Sequence, residues 1–125
     1  MVKIKVKTLT REAVELCKEL GLTAIPEYKT EDGSRIDIAV LNGEEKLVAI
    51  ELEASFKWMR QRVLYNAVKA HRAGFRELWI VTPFKKPKLG WVEGYVKELG
   101  LRLEFVNDGE MLKRIDELKV QLARR

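Results

Sequence analysis

Two short runs in the middle of the chain set acids among apolar residues: RIDIAVL at residues 35–41 and KLVAIELE at residues 46–53. Asp37 lies in the first run, Glu51 and Glu53 in the second. Both runs are rich in β-branched residues, and the turn between them contains Asn42-Gly43, a pattern that predicts a β-hairpin. Residues two apart on a strand leave the same face, so Glu51 and Glu53 share one side while Val48, Ile50 and Leu52 form the other. By the same alternation Ile36, Ile38 and Val40 are core and Asp37 points the opposite way. Whether Asp37 joins the glutamates depends on register, because a slip of one residue exchanges the two faces. A three-residue Gly-Glu-Glu loop pairing Asn42 with Lys46 sets Asp37 directly opposite Glu51. A two-residue loop sets Asp37 against Ile50 and mixes acid with core. The apolar pattern therefore selects the longer loop and a cluster of three acids.

Three carboxylates so close repel one another, and at least one is expected to keep its proton unless a cation sits among them. Ala39, Leu41, Leu47 and Ala49 share the acid face, so the cluster is expected to be half-buried. All-oxygen ligands in such a place suit Mg²⁺ or Mn²⁺ rather than zinc. The alternative is ordinary ion pairing of the acids with Arg35, Lys57 or Arg60.

The elements that position these residues follow from periodicity. Residues 11–20 carry Ala13, Leu16, Cys17 and Leu20 on one stripe, with Thr10 as N-cap and Gly21 past the end, and predict a helix. Residues 25–29 predict a short strand before the hairpin. From Phe56 to Ala73 the apolar residues Phe56, Met59, Val63, Ala67 and Ala70 recur at threes and fours, predicting a long amphipathic helix closed by Gly74. ELWIVTP at 77–83 predicts a buried strand containing Trp79; a helix follows at 88–99, a strand at 101–106 and a closing helix at 108–122. Gly90 and Gly94 fall in the third helix and imply close packing there against a helix or a second subunit. A meander followed by helical crossovers implies an α/β fold with a mixed sheet and helices on both faces.

The stretch R-I-D-I-A-V-L-N-G-E-E-K-L-V-A-I-E-L-E, residues 35–53, resembles the signature of the PD-(D/E)XK nuclease superfamily, which includes restriction endonucleases and archaeal Holliday-junction resolvases. The superfamily's αβββαβ core matches the order read for residues 11–82, about two thirds of the chain, with an αβα extension after it. The resemblance implies a restriction-endonuclease-like domain that hydrolyses DNA with Mg²⁺ or Mn²⁺. It implies Asp37 and Glu51 as metal ligands, with the main-chain carbonyl of Leu52 completing the inner shell. Where the family usually has lysine, this chain has Glu53, which joins the acids as a further ligand or catalytic group. Lys57, one turn into the long helix with Gln61 on the same face, is the candidate replacement for that lysine. Related resolvases also bring a glutamate from the first helix, for which Glu12 is the nearest candidate and Glu15 the next. The family habit further implies a homodimer. The other reading is a module that kept the fold, lost turnover with the lysine, and binds nucleic acid or a protein partner.

The basic supply for a phosphate backbone is Arg60, Arg62, Lys69 and Arg72 on the long helix, with Gln61 among them, and Lys85, Lys86 and Lys88 after the fourth strand. The chain has 125 residues, 24 Lys and Arg against 19 Asp and Glu, and a net charge of +5, so an anionic partner is favoured. This length fits one domain spanning residues 1–125. Cys17 is the sole cysteine, which excludes an internal disulfide and a cysteine-built metal site. No apolar run approaches the length of a membrane span and the start MVKIKVK lacks a signal-peptide core, so a cytoplasmic location is expected. Scarce amides amid abundant Lys, Glu and Arg resemble the composition of thermophile proteins.

Overall fold

A computed structural model describes residues 4–125. The elements run α1 (Val6–Glu19), β1 (Thr23–Lys29), β2 (Arg35–Asn42), β3 (Glu45–Leu52), α2 (Met59–Arg72), β4 (Glu77–Thr82), α3 (Trp91–Glu98), β5 (Arg102–Asn107) and α4 (Met111–Ala123), the last entered through one 3₁₀ turn, Asp108–Glu110. The succession is the one the sequence pattern predicts. The five strands lie in the spatial order β1-β2-β3-β4-β5. The first three form an antiparallel meander; α2 and α3 then carry the chain across to add β4 and β5 in parallel.

Two apolar layers result. On one face α1 and α4 cover Ile38, Val40, Val48, Ile50, Trp79 and Val81. On the other, α2 and α3 cover Ala39, Leu41, Ala49, Leu78 and Ile80. Ile36 joins this second layer, although alternation puts it with Ile38. Trp79 is core, as expected, and its indole Nε1–H donates to Glu77 at 2.6 Å. Cys17 is likewise fully buried, and burial pushes its thiol up to about 11, which suits packing and not reactivity. Among the described residues no helix is long and apolar enough to cross a membrane.

Helix starts differ from the sequence reading. α1 begins at Val6, so Thr10 sits inside the helix and Lys5 takes the N-cap position without a side-chain cap. Leu9 packs into the α1–α4 layer and extends the apolar stripe back by a turn, so packing outweighs the capping preference of Thr10. α2 begins at Met59, because Trp58 adopts a left-handed conformation with φ +61° that a helix cannot propagate. α3 begins at Trp91 behind Gly90, whose φ of +61° suits glycine. Open space surrounds Gly94, so at that position α3 packs closely against no other helix among the described residues of this chain.

The hairpin reaches the acid-clustering register through a shorter turn and a bulge. Asn42 pairs with Glu45 and Leu41 with Lys46, so the loop is the two-residue Gly43-Glu44 and not Gly-Glu-Glu. Between Leu41 and Val40 the pairing shifts, and Val40 then faces Val48, Ala39 faces Ala49 and Ile38 faces Ile50. One extra residue in β3 makes this β-bulge, and it resets every side chain beyond it. Leu47, at the shift, consequently turns to the α1–α4 layer instead of sharing the face of Ala49.

Under α2 the sheet and helix meet through small side chains: Ala39 and Ala49 on the strands, Ala67 and Ala70 on the helix, all fully buried. Such residues let the helix axis approach the sheet closely. Ala67→Leu is expected to overpack this seam and cost about 1–3 kcal/mol, whereas Ala123→Leu at the exposed end of α4 should stay within about 0.5 kcal/mol. Urea unfolding midpoints of the two variants check this; equal effects would contradict a tight seam.

Candidate functional site

Past the bulge, Asp37 and Glu51 are tied across the two strands by bonds from backbone N–H groups to their carboxylates. The Asp37 N–H donates to Glu51 Oε1 at 3.3 Å, and the Leu52 N–H donates to Asp37 Oδ2 at 2.8 Å. The two acids differ in environment: Asp37 is exposed, whereas Glu51 is only 3% exposed at the floor of the α2 seam.

A cation compensates the buried acid. Lys69, itself 8% exposed on the inner side of α2, brings Nζ to 2.8 Å from Glu51 Oε2 and donates to the Arg35 carbonyl at 2.6 Å. The ammonium also lies 5.1 Å from the centre of the Tyr65 ring. The ion pair is close, but the approach of Nζ to Glu51 Oε2 is poorly directed for a hydrogen bond, and among the described residues Oε2 has no other partner. Burial pushes the Glu51 carboxyl up to about 7 and the negative charge of Asp37 adds to this, while Lys69 and the Asp37 N–H pull the other way. Burial thus favours the protonated form of Glu51, against the pull of Lys69.

Glu53, one turn of the strand further on, is held by α2 as well. Arg62 meets its Oε1 at 2.8 Å and Asn66 donates to its Oε2 at 3.0 Å. Arg62, Asn66 and Lys69 are spaced by four and three, so a single polar stripe of α2 serves both glutamates while Met59, Val63, Ala67 and Ala70 pack beside it. The ion-pairing partners are therefore Arg62 and Lys69, not Arg35, Lys57 or Arg60.

Several expected site residues stand elsewhere. Lys57 lies in the exposed turn before α2, its N–H bonded to Ser55 Oγ at 3.1 Å, and among the described residues it forms no ion pair. It is not a residue of the helix, so the shared face with Gln61 does not exist; Gln61 itself is exposed. Glu12 belongs to α1, which covers the opposite face of the sheet. At Leu52 it is the N–H that touches the acid pair. Among the described residues no three His, Cys, Asp or Glu side chains converge as a group able to hold a metal ion, so the expected three-acid cluster contracts to the pair Asp37–Glu51.

The basic residues divide in the same way. Lys69 and Arg62 are engaged with the glutamates, so Lys69 in particular, being buried, does not face a nucleic-acid backbone. Arg60, Lys85 and Lys88 are exposed, Lys86 is exposed and pairs with Glu93, and Arg72 lies 3.8 Å from Asp32 toward the far end of α2. The sequence reading does not single out Asn66, and it counts Lys69 among the cations for a phosphate backbone, whereas both turn inward to the glutamates. Their signal was present in the spacing: both adjoin an apolar stripe residue, Ala67 and Ala70 respectively.

Neither a protein-family model nor a curated protein matches this sequence. What the arrangement can do chemically therefore rests on the pair itself. One carboxylate is solvent-facing, the other is poised near neutrality, and the buried oxygen of the second lacks a directed hydrogen bond.

The pH dependence of stability has a definite sign. Glu51 is raised from 4.5 to about 7, so between those values the native chain holds a proton that the unfolded chain releases. Its contribution to stability is fully present below about 4.5 and is lost as the pH rises through about 7. The stability of the natural protein minus that of Glu51→Gln should fall across that interval by on the order of 3 kcal/mol. Denaturant unfolding of the metal-free proteins between pH 4 and 8 measures it, and a flat or rising difference would contradict the assignment. Lys69→Met should cost about 3–5 kcal/mol at pH 8, where it strands a buried charge, and much less at pH 5, where Glu51 holds its proton.

Proposed function

We propose that this chain is a metal-dependent nuclease of the restriction-endonuclease-like fold, hydrolysing phosphodiester bonds of DNA at the Asp37–Glu51 pair. The observation that carries the reading is the interlocking of these two acids on adjacent antiparallel strands, with Glu51 buried and one of its oxygens without a directed hydrogen bond. Two carboxylates with an all-oxygen donor set fit Mg²⁺ or Mn²⁺, which commonly take one or two protein carboxylates and fill the remaining positions with water and substrate phosphate. Asp37 and Glu51 would hold the ion, with the Leu52 carbonyl beside them. Bound there, the ion supplies positive charge that lowers the pKa of a water and offsets charge developing on the phosphoryl oxygens.

The chain's own residues have distinct parts in this account. The Leu52 N–H fixes the direction of the Asp37 carboxylate. Lys69 keeps a positive charge beside Glu51. Arg62 and Asn66 hold Glu53 out of the pair. A homodimer would let so small a chain embrace a substrate from two sides.

A second reading has its own support: both glutamates are already compensated from within, Glu51 by Lys69 and Glu53 by Arg62. An inactive nuclease-fold module that binds nucleic acid or a protein partner would look the same in this respect.

Calorimetric titration with Mn²⁺ near pH 6 separates the two. On the nuclease reading the natural protein and Glu53→Gln bind the ion with release of up to about one proton, while Asp37→Asn and Glu51→Gln bind it at least tenfold more weakly. Cleavage of a mixed set of linear, flapped and branched DNA in Mn²⁺ should be lost in the same two variants. Absence of both uptake and cleavage would leave the binding module.

A further inference from the structure

Two segments meet where the chain leaves the parallel strands β3 and β4. One is residues 53–62, running from the end of β3 into α2; the other is residues 83–95, running from the end of β4 into α3. Arg60 joins them: its Nε lies 3.5 Å from the Lys88 carbonyl, and its guanidinium would lie 3.8 Å from a Cβ built on Gly90. Phe56 and Phe84 join them again, with rings stacked at 3.7 Å and an interplanar angle of 22°.

This surface presents aromatic rings to solvent. Phe56 is 56% exposed, Trp58 62% and Trp91 67%. Tyr95 is exposed beside Trp91, edge to face at 6.2 Å. Large apolar rings clustered on a surface lose the stabilisation that burial would give them, and such patches mark interaction sites. Trp58 is held in the left-handed region at φ +61°, a conformation costly for a bulky residue and characteristic of functional positions.

Cations are interleaved with the rings. The two segments contain Lys57, Arg60, Arg62, Lys85, Lys86 and Lys88 against the acids Glu53 and Glu93. Both acids are already paired, with Arg62 and Lys86, so Lys57, Arg60, Lys85 and Lys88 keep unpaired positive charge among the described residues.

We propose that this surface binds an unpaired DNA strand, with Trp58 and Trp91 stacking on bases and Lys57, Arg60, Lys85 and Lys88 meeting phosphates. Rings together with cations suit this ligand and not a duplex, whose base faces are covered by their neighbours in the stack. The choice of DNA rests on the nuclease reading above; the binding itself requires neither metal nor turnover. Because the first segment continues directly from Glu51 and Glu53, a strand on this platform leads toward the acid pair, and the substrate is a single strand or the unpaired arm of a flap or frayed end.

Fluorescence anisotropy with an end-labelled oligo(dT) and with a blunt duplex of equal length, both in EDTA, tests this. The natural protein should bind the single strand at least tenfold more tightly than the duplex. Trp58→Ala and Trp91→Ala should each weaken single-strand binding by roughly tenfold, with Trp58→Phe largely restoring it and circular dichroism unchanged. Lys88→Ala should lower the slope of log affinity against log salt by about 0.7. Because the assay contains no metal, it reads strand binding alone, so a nuclease reading that fails leaves this result standing. Equal affinity for duplex and single strand, or tryptophan variants that bind the strand unchanged, would overturn the proposal. Loss of self-association in those same unchanged variants, seen by sedimentation, would instead make the surface an interface between copies.

Discussion

The structure turns on one buried carboxylate. Glu51 sits nearly sealed from solvent against a layer of mostly apolar side chains. Removing an ionised carboxylate from water costs several kcal/mol even after relaxation. Three things offset it here: the Asp37 N–H, the Lys69 ammonium and the retention of a proton to about pH 7. The Asp37 N–H goes to Oε1, and among the described residues Oε2 has only the ammonium beside it. A pair of hydrophobic residues of the same volume would serve folding at least as well, so the pair is better understood through what it does than through what it stabilises.

Much of the surrounding architecture supports that one group. The bulge between Val40 and Leu41 lets a tight two-residue turn coexist with a register that places Asp37 beside Glu51. Alanines on both sides of the α2 seam bring the helix close enough for Lys69 to reach down. The crossover from β3 through α2 to β4 delivers that helix to the acid face, while α1 and α4 close the other side. Where that crossover starts, Phe56 and Trp58 are exposed, and Arg60 ties the segment to the one after β4 that carries Trp91 and further unpaired cations. The acid pair and the ring-and-cation surface thus draw on the same β3–α2 connection, the surface being completed by the segment after β4.

How much of this was legible differs from element to element. Periodicity gave the order of helices and strands, because apolar stripes at threes and fours or at twos leave few other solutions. The hairpin acids were legible for the same reason: only one register keeps Ile38, Val40, Val48 and Ile50 on one side. The turn was not, since a bulge resets register without any residue type that announces it. The start of α2 was missed because Trp58 takes a backbone conformation that its residue type disfavours. Lys69 read as a surface cation, because lysine seldom enters a core and its partner is 18 positions away along the chain. Pairwise compensation of this kind is a tertiary property, visible only once α2 lies on the sheet.

The most direct measurement is the titration of the Glu51 carboxyl by carbon-13 NMR, assigned with Glu51→Gln, in the absence and presence of Mg²⁺. The account predicts a glutamate that titrates near pH 7 without the ion and at a clearly lower pH with it, as the metal displaces the proton from the buried oxygen. A Glu51 that titrates in the ordinary carboxylate range, or one indifferent to Mg²⁺, would contradict the account of this pair as a metal-binding centre.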